Sequence, residues 1–332
     1  MKTLTDIAQK FNELKVMIIG DVMVDAYVWG SVERISPEAP VPVVHVDKRE
    51  IRMGGAANVA KNVSALGAQP ILCALVGNDS QGEQFVELLE SKGVKTQGVI
   101  RSNDRVTTVK ERVLAGSQQL MRVDSENDKP LTSFEYDRLL EKILHFLPET
   151  DVVIFEDYDK GVLSAKLIET VVKEAKARNI PTVVDPKKRN FLAYQGVSLF
   201  KPNLKEIKEG MKIEFDVDNP DELHDAVNRL LNKLDAEAAM ITLSERGVFI
   251  KNRSEAHHIP AHIRQISDVS GAGDTVISIA SLCMAMQLPM DFTAALANLG
   301  GGLVCEYLGV VPVDKKKLFE EAEKNNLLAD VQ

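Results

Sequence analysis

Short apolar runs alternate along this chain with longer segments in which apolar residues recur at helical spacing. The runs are rich in Val and Ile, as expected of strands buried on both faces of a sheet, and they cover 16–20, 71–76, 151–155, 182–184, 197–200 and 239–243. The helical segments between them cover 56–66, 81–92, 134–147, 165–178 and 220–234. This alternation predicts an α/β fold with a mostly parallel central sheet that is covered by helices on both faces.

Two intervals break the alternation, at about 22–52 and 96–124, because neither contains a good helical pattern. The interval 96–124 has the pattern of a hairpin that joins residues 107–115 to residues 118–124. Together the intervals predict a small antiparallel sheet that forms a lid, and its apolar face needs either the substrate cleft or a second subunit as a partner. Since no internal repeat or low-complexity linker is visible, residues 1–332 are predicted to form one domain.

Charge and cysteine content narrow the class of protein. The 332 residues include 40 Lys and Arg against 49 Asp and Glu, a net charge of −9, which argues against nonspecific nucleic-acid binding and against a polybasic membrane contact. Cys73, Cys283 and Cys305 lie far apart and form no CxxC pair, so free thiols in a reducing cytosol are expected. With neither a signal-like N-terminus nor a long enough apolar run, the sequence indicates a cytoplasmic protein without a membrane span.

Polar residues follow most of the predicted strands at the point where each strand ends. In chain order they are Asp21, Glu156, Asp157, Tyr158, Asp185, Lys187, Asn203, Glu206, Thr242 and Ser244. One such residue is normally a turn former or a helix cap. Several strands that end in this way are better explained by a shared cleft, because open α/β sheets bind ligands at this edge.

Residues 268–275, with the sequence DVSGAGDT, carry the most specific chemical signal. The small residues 271–273 precede Asp274 and an apolar run that predicts a buried helix. Small residues let a phosphate approach the backbone, and free N–H groups at a helix start form an anion site. A carboxylate in that turn indicates proton abstraction from a hydroxyl that attacks the phosphate, which is kinase chemistry. The alternative is an ordinary turn with Ser270 as the N-cap and Asp274 as a favourable dipole partner.

Two further segments have the chemistry of a sugar site. Gly54 and Gly55 permit a close backbone approach at the start of a helix, and Asn58 can both donate to and accept from a polyol. Asp21 and Asp25 follow the first predicted strand, where carboxylates suit the recognition of sugar hydroxyls. The alternative for residues 54–58 is a flexible loop followed by an Asn within the helix. The alternative for Asp21 and Asp25 is that each is a structural cap.

Basic residues alternate along the predicted hairpin at Lys110, Arg112 and Arg122. Lys110 and Arg112 are two residues apart, so on a strand they share one face and could converge on a phosphate. Solvated strand charges are the usual meaning of such a pattern. The other basic candidates are Arg34, Arg52, Lys61 and Lys160.

The segment KPNLKE at 201–206 offers a site for metal and nucleotide. Asn203 and Glu206 fall on one side of a first helical turn, where they could organise the water ligands of Mg²⁺ and a nucleotide phosphate. A capping box with Asn203 at the N-cap fits equally well. Glycines at 300–302 lie inside a helical segment, where each lowers helix stability by about 1 kcal/mol relative to Ala. Their presence would be explained if another backbone or a flat purine packs closely against this helix.

Several other enzyme classes have little support. The sequence contains no Walker A motif, no dinucleotide glycine fingerprint and no nucleophile elbow, and its six histidines have no metal-ligand spacing. Hydrolase, metalloenzyme and nicotinamide oxidoreductase functions are therefore disfavoured.

A set of short segments in a fixed order makes the chain similar to the ribokinase-like (PfkB) carbohydrate kinases over essentially its whole length. They are GD at 20–21, GGAAN at 54–58, EDYDKG at 156–161, DPK at 185–187, KPNLKE at 201–206, TLSERG at 242–247 and SGAGDT at 270–275. Within that family the chain closely resembles the kinase portion of bacterial D-glycero-β-D-manno-heptose-7-phosphate 1-kinases, through RISPEAPVPVV at 34–44, GGAANVA at 54–60 and QQLMRVD at 118–124.

The resemblance implies a Rossmann-like domain with a β-sheet lid that often dimerises, ATP as phosphoryl donor, Mg²⁺ as cofactor and a monovalent cation as a further candidate. It implies that Asp274 is the base for the anomeric hydroxyl, and that the transferring phosphoryl group is stabilised by Gly271, Ala272 and Gly273. The residues implied to hold ATP, with Glu206 reaching the metal through water, are Lys187, Asn203, Glu206, Thr242, Ser244, Gly247 and Asn298. Those implied to face the sugar phosphate are Asp21, Gly54, Gly55, Asn58, Lys110, Arg112 and Asp157.

The chain departs from the family pattern at three places. Ser270 stands where Thr is more frequent, a change that keeps the hydroxyl group. Lys201 stands where the compared kinases tend to carry Thr, and glycines 300–302 replace an Ala-rich stretch. In many bacteria such a kinase is fused to a nucleotidyltransferase, and since no HxGH signature is present here, the adenylyl-transfer step is expected to lie elsewhere.

The predicted function is ATP-dependent phosphorylation of heptose 7-phosphate at its 1-hydroxyl, giving heptose 1,7-bisphosphate for ADP-heptose and lipopolysaccharide core synthesis. The nearest alternative is a ribokinase-like kinase for another sugar, such as fructose 1-phosphate or ribose. A non-catalytic sugar-binding or regulatory module is the alternative of a different class, and it would be expected to have lost Asp274.

Overall fold

The computed structural model describes residues 3–116, 118–262 and 264–327. The strands in these ranges are β1 (Lys15–Gly20), β2 (Val22–Ile35), β3 (Pro42–Gly55), β4 (Gln69–Gly77), β5 (Val99–Ser102), β6 (Val109–Ala115), β7 (Gln118–Ser125), β8 (Val152–Glu156), β9 (Thr182–Asp185), β10 (Leu199–Phe200), β11 (Ala238–Thr242), β12 (Val248–Asn252) and β13 (Ala256–Ile259). The helices are α1 (Leu4–Phe11), α2 (Ala56–Ala65), α3 (Ser80–Ser91), α4 (Ser133–Phe146), α5 (Ala165–Lys176), α6 (Leu204–Met211), α7 (Pro220–Leu234), α8 (Ala272–Ala285), α9 (Met290–Val304) and α10 (Lys315–Lys324).

The large sheet has the strand order β13-β12-β11-β10-β9-β8-β1-β4-β5. From β11 to β5 neighbouring strands run parallel, while β12 and β13 are added antiparallel at one edge. The predicted mostly parallel sheet is therefore confirmed. Because parallel strands end at the same edge, this arrangement gathers the residues that follow β1, β8, β9, β10 and β11 along one line.

Helices cover both faces of this sheet, as predicted. In β1, Val16 and Ile18 pack into a core with α2, α8 and α9, whereas Met17 and Ile19 pack into a second core with α4, α5 and α7. Successive side chains of a strand point to opposite faces, so a strand with two covered faces is apolar throughout. This double burial explains why the apolar runs were reliable markers of the central strands.

The small sheet has the order β3-β2-β6-β7 and departs from the prediction in two ways. The sheet is mixed, because β2 and β6 run parallel. The other two neighbouring pairs, β3 with β2 and β6 with β7, are antiparallel, and the second of them is the predicted hairpin. Its boundaries also differ from the predicted 96–124, since β5 (Val99–Ser102) pairs with β4 at the edge of the large sheet. A four-residue run is too short to show by periodicity which sheet it joins.

The small sheet leaves one end exposed. Val22, Met23 and Val24 are buried at the start of β2. Apolar side chains are exposed farther along the small sheet and its loop, at Val32, Ile35, Val41, Val46, Met121 and Val123. In the part of the chain that the structure describes, no helix is both long and apolar enough to cross a membrane.

Candidate active site

A cavity of about 810 Å³ opens at the carboxyl edge of the large sheet, between the ends of β9 to β11 and the start of α8. The structure brings together here all of the residues that the resemblance implied for ATP: Lys187, Asn203, Glu206, Thr242, Ser244, Gly247 and Asn298. The cavity is also lined by Gly271, Ala272, Gly273 and Asp274. Strand ends and a helix start thus converge on one space large enough for a nucleotide.

Helix α8 begins at this cavity without a side-chain cap. Gly271 occupies the N-cap position in the left-handed region, with φ of 82°, and makes no capping hydrogen bond through a side chain. Ser270, the alternative N-cap, instead donates its backbone N–H to Asp268 at 2.9 Å. The first turn of α8 therefore lines the cavity without a side-chain cap, as an anion site requires.

Asp274 is buried in this first turn and has two side-chain donors. Asn58 Nδ2 donates to Asp274 Oδ2 at 2.5 Å, and Tyr158 Oη donates to Oδ1 at 3.2 Å. Burial raises the pKa of Asp274 to about 6, and Asp185 adds to this, whereas Asn58, Lys201 and Tyr158 favour the ionised form. A carboxylate with a pKa near neutrality that is fixed by two donors is suited to act as a base.

Behind Asp274 lies a buried cluster of opposite charges. Carboxylate oxygens of Glu156, Asp185 and Asp274 lie within 4.8 Å of one another. Lys201 Nζ is 2.8 Å from Asp185 Oδ2, and Lys201 is only 2% exposed. Burial lowers the pKa of this lysine, but Asp185, Glu206 and Glu156 outweigh it, so its pKa is raised and the ammonium stays charged. The Lys201 ammonium therefore supplies positive charge next to this group of buried carboxyl side chains.

Glu156 is the unusual member of that cluster. Neither of its carboxylate oxygens has a hydrogen-bond partner among the residues that the structure describes. Burial, with Asp185 and Asp274 nearby, raises the pKa of Glu156 well above its ordinary value, which favours the protonated form. Glu156 therefore adds polarity to the site without adding a third full negative charge to those of Asp185 and Asp274.

Asn203 and Glu206 form the predicted capping box, and both also line the cavity. In this capping box of α6, each side chain bonds the other residue's backbone N–H at 2.9 Å. Glu206 Oε1 also accepts from Lys187 Nζ at 2.6 Å. Burial lowers the pKa of Lys187, but Asp185 and Glu206 outweigh it and raise it. Since a carboxylate has about four lone-pair sites, Glu206 keeps acceptor capacity towards the cavity.

The glycines of α9 are explained first by helix packing. A Cβ on Gly300 would lie 2.1 Å from Ile279 Cδ1, and one on Gly301 would lie 2.7 Å from Val276 Cγ2, so both permit the close approach of α8. Gly301 and Gly302 also line the cavity.

On the other side of Asp274, Gly54, Gly55 and Asn58 connect the small sheet to α2. A Cβ on Gly54 would lie 2.4 Å from Asp25 Oδ2, and Gly55, with φ of 60°, would place one 2.4 Å from the Asp21 carbonyl oxygen. Both glycines are thus required by internal packing. Asn58 Oδ1 is buried with no partner among the described residues, so this amide can still accept a hydrogen bond from a ligand.

Two of the residues predicted to face the sugar have other partners. The Asp21 carboxylate accepts backbone N–H groups of Tyr158, Lys160 and Val162 at 2.9 to 3.1 Å. Asp157 accepts from Tyr194 Oη at 2.7 Å and from Asn190, and burial raises its pKa to about 6. These contacts give both carboxylates a structural role at the 157–162 turn, and their predicted contact with the sugar stays a prediction.

The predicted convergence of Lys110 and Arg112 on a phosphate stays a prediction, and in the structure each head group has its own acidic partners. They share one face of β6, as expected, but the neighbouring strands separate their head groups. Arg112 Nη1 pairs with Asp25 Oδ1 at 2.7 Å, while Lys110 Nζ lies 3.5 and 3.7 Å from Asp124 and Glu126. Sequence spacing gives the face of a strand but not the residues that the adjacent strands place beside it.

Comparison with known proteins decides the family. The sequence pattern of the pfkB family carbohydrate kinases matches residues 13–316. The chain is a member of that family. This kinase is 39% identical over 313 residues to the bifunctional protein HldE of Syntrophotalea carbinolica, covering 94% of the chain and 63% of the relative. It is 37% identical to HldE of Koribacter versatilis, covering 94% and 64%. The kinase thus spans less than two thirds of the length of these relatives.

Solved structures share the fold of the kinase at low sequence identity. Phosphofructokinase-2 from Escherichia coli in complex with fructose-6-phosphate superposes with a TM-score of 0.76 at 17% identity, covering 93% of the kinase and 99% of that chain. Arabidopsis thaliana ribokinase complexed with ribose and ATP gives 0.71 at 16% identity, covering 92% and 98%. The predicted ribokinase-like fold is therefore confirmed.

The sequence pattern did not assign a role to Lys201, which stood out only as a departure from the family. The available signal was its position directly after a strand that is buried on both faces. A lysine there must either reach into the cleft or form an ion pair with an acidic side chain.

Proposed function

We propose that this kinase transfers the γ-phosphoryl group of ATP to the 1-hydroxyl of D-glycero-β-D-manno-heptose 7-phosphate. The observation that carries the phosphoryl transfer is the position of Asp274, between the large cavity and the Asn58 side of the cleft. The choice of heptose is supported by the resemblance of residues 34–44, 54–60 and 118–124, and by the HldE relatives. A kinase for another sugar phosphate is the alternative.

In the proposed reaction Asp274 accepts the proton of the sugar hydroxyl while the hydroxyl oxygen bonds to the γ-phosphorus. The bond from that phosphorus to the β,γ-bridging oxygen breaks, and ADP leaves. Charge that develops on the phosphoryl oxygens is met by the N–H groups at the start of α8 and by the Lys201 ammonium. Asn58 and Tyr158 hold the carboxylate in line with the acceptor.

The residues present fit a magnesium nucleotide. Mg²⁺ prefers oxygen ligands and keeps several of its waters, and it would screen the phosphate charge when bound. Glu206, with Asn203 beside it, presents carboxylate oxygens to the cavity and would hold such waters. A monovalent cation remains a prediction from the family resemblance.

We further propose that residues 1–332 act as one cytoplasmic kinase domain whose small sheet covers the acceptor and pairs with a second copy. The exposed apolar residues at the free end of the small sheet, with Ile35 at 60% and Met121 at 55% exposure, support a homodimer. The free, buried thiols of Cys73, Cys283 and Cys305 agree with a reducing compartment.

A screen of acceptors tests the substrate. ADP release is measured with heptose 7-phosphate, fructose 6-phosphate, fructose 1-phosphate, ribose and ribose 5-phosphate, and product NMR locates the new phosphate. We expect the highest kcat/KM with heptose 7-phosphate and a product phosphorylated at C1. If a ketose or pentose is used and heptose 7-phosphate is not, the heptose assignment is wrong and the kinase assignment stands.

The pH dependence tests the environment of the base. Since Asp274 must be ionised, we expect kcat/KM to fall as the pH drops through about 6, the pKa that burial gives this carboxyl. Asn58→Ala removes a donor to the ionised form, so its acidic limb should move to higher pH.

The matched control for that prediction is Asn62→Ala. Asn62 lies one turn later on α2 and bonds Thr275, the Val313 N–H and the backbone carbonyl of Asn58, but not Asp274. Its loss should lower thermal stability and leave the acidic limb in place. An unchanged limb in Asn58→Ala would show that the hydrogen bond does not set the pKa of the base.

A further inference from the structure

The guanidinium of Arg105 is buried at a point where several segments of the chain meet. Arg105 lies in the connection from β5 to β6, and its side chain is only 6% exposed. Its Nη1 donates to the Lys160 carbonyl oxygen at 3.3 Å, and its Nη2 donates to the Lys129 carbonyl oxygen at 3.2 Å. Its Nε donates to Glu135 Oε1 at 3.2 Å. One side chain therefore joins the connection into the small sheet, the connection out of it and the 157–162 turn.

Stability alone does not explain this buried ion pair. Taking two charges out of water is costly, and apolar residues of similar size often stabilise a fold as well. Burial raises the pKa of Glu135, but hydrogen bonds from Ser102 and Thr132, with Arg105 nearby, outweigh it and lower that pKa, so the pair is charged. All three nitrogen atoms of Arg105 bond protein atoms, so this side chain is not placed to bind a ligand. Its contacts instead indicate a role in positioning the segments that it joins.

The 157–162 turn carries a hydrogen-bond donor to the base. Tyr158 lines the cavity, and its Oη donates to Asp274 Oδ1 at 3.2 Å. Lys187 Nζ lies 5.4 Å from the centroid of the Tyr158 ring, so this ring stands between the base and the nucleotide side of the cavity. Asp21 accepts three N–H groups of the turn and fixes its shape. Because the hydroxyl is at the far end of a rigid side chain, a small rotation of the turn moves it away from Asp274.

Arg105 fixes where this turn lies relative to the small sheet. The turn packs directly against the connection that leaves the sheet, since a Cβ on Gly161, with φ of 87°, would lie 2.1 Å from the Lys129 carbonyl oxygen. Arg105 donates to one carbonyl oxygen on each side of that contact. Its loss would remove the donor that the two segments share and allow them to separate.

We propose that Arg105 is a positioning residue for phosphoryl transfer, which keeps the Tyr158 hydroxyl bonded to Asp274 by fixing the 157–162 turn to the connections of the small sheet. The inference rests on the proposed role of Asp274 as the base. Arg105 does not line the cavity in the part of the chain that the structure describes, so its effect on turnover passes through Tyr158.

A double-mutant cycle on the full chain tests this proposal, with kcat and both KM values measured for the acceptor that the wild type uses best. Tyr158→Phe keeps the ring and should lower kcat roughly 10-fold, the loss of one hydrogen bond to a charged group. Arg105→Lys keeps a positive charge beside Glu135 but lacks the planar fork that reaches two carbonyl groups. It should lower kcat by up to the same factor and leave both KM values unchanged. In the Tyr158→Phe background it should have no further effect, because the bond is already lost.

Two further variants separate positioning from folding. Arg105→Met combined with Glu135→Gln removes both charges of the pair and should lower kcat as Arg105→Lys does; where it does not fold, the lysine variant decides. Arg189→Ala is the matched control. The Arg189 side chain bonds Asp128 in the same outgoing connection, but it is 42% exposed and bonds the turn only through its backbone N–H to Asp159. This variant should keep the wild-type kcat.

The outcomes distinguish the role of Arg105 from the proposed function. Wild-type kcat in Arg105→Lys, a loss that multiplies with that of Tyr158→Phe, or an equal loss in Arg189→Ala would each overturn the positioning role and leave the kinase function intact. Full activity in Asp274→Asn would instead show that the assignment of the base is wrong, and no Arg105 variant is needed to see it.

Discussion

Replacing Asp274 with Asn is expected to lower kcat by ~10²–10⁴ while the affinities for ATP and for the sugar stay nearly unchanged, because only proton transfer is lost. Asparagine keeps the shape of the side chain and an oxygen that can still accept from Asn58 Nδ2. It cannot take the proton of the attacking hydroxyl. Turnover is measured by ADP release and the two affinities by calorimetry. Full activity in this variant would remove Asp274 from the role of base.

Thermal stability provides the control for folding in that variant. The pKa of Asp274 is about 6 in the folded chain against an ordinary value of 3.8, so the folded state disfavours the ionised form. Asp274 therefore reduces stability progressively as the pH rises from 3.8 to about 6, and this cost persists at neutral pH. The substituted asparagine carries no charge, so the variant should melt at a higher temperature than wild type at neutral pH. An inactive variant that melts lower would point to damage to the fold instead.

Burial on both faces decided which parts of the fold could be predicted. β1, β4 and β8 are covered on both faces and are apolar except at their ends, so their sequences identify them. β13, with the sequence AHHI, is a half-exposed edge strand that carries two histidines, and its sequence has no strand pattern. The α10 helix, in which only Leu318 and Ala322 are buried, is similarly too polar to be recognised by its apolar residues.

The same limit applies within the site. Strand ends were enough to predict that Lys187, Asn203, Glu206, Thr242 and Ser244 meet at one cavity, because parallel strands must end at one edge. They could not tell Glu156 from Asp157, which follow the same strand. Glu156 faces the α8 side beside Asp274, whereas Asp157 bonds Tyr194 in the opposite core. A one-residue step along a strand reverses the face, so only the register of the finished sheet decides which carboxylate enters the cleft.

Lys201 shows how a residue outside the expected pattern can become central once its surroundings are known. Its ammonium is buried against Asp185, and it lines the cavity beside Asp274. In the proposed mechanism it meets charge on the transferring phosphoryl group, a contact that is strongest in the transition state. Lys187 differs, because it is 32% exposed and pairs with Glu206 at the nucleotide side.

Lys201→Met, which keeps the length of the side chain and removes its charge, is expected to lower kcat roughly 10²- to 10³-fold, comparable to the loss of one donor to a developing oxyanion. Lys187→Met should instead act mainly on KM for ATP. Because the single change removes the 2.8 Å ion pair of the buried Asp185 and leaves it only Lys187 Nζ at 3.9 Å, it should also lower the melting temperature. Lys201→Met combined with Asp185→Asn removes the poorly compensated charge and should recover the melting temperature without recovering kcat. If turnover returns together with stability in the double variant, Lys201 serves the fold and not the phosphoryl transfer.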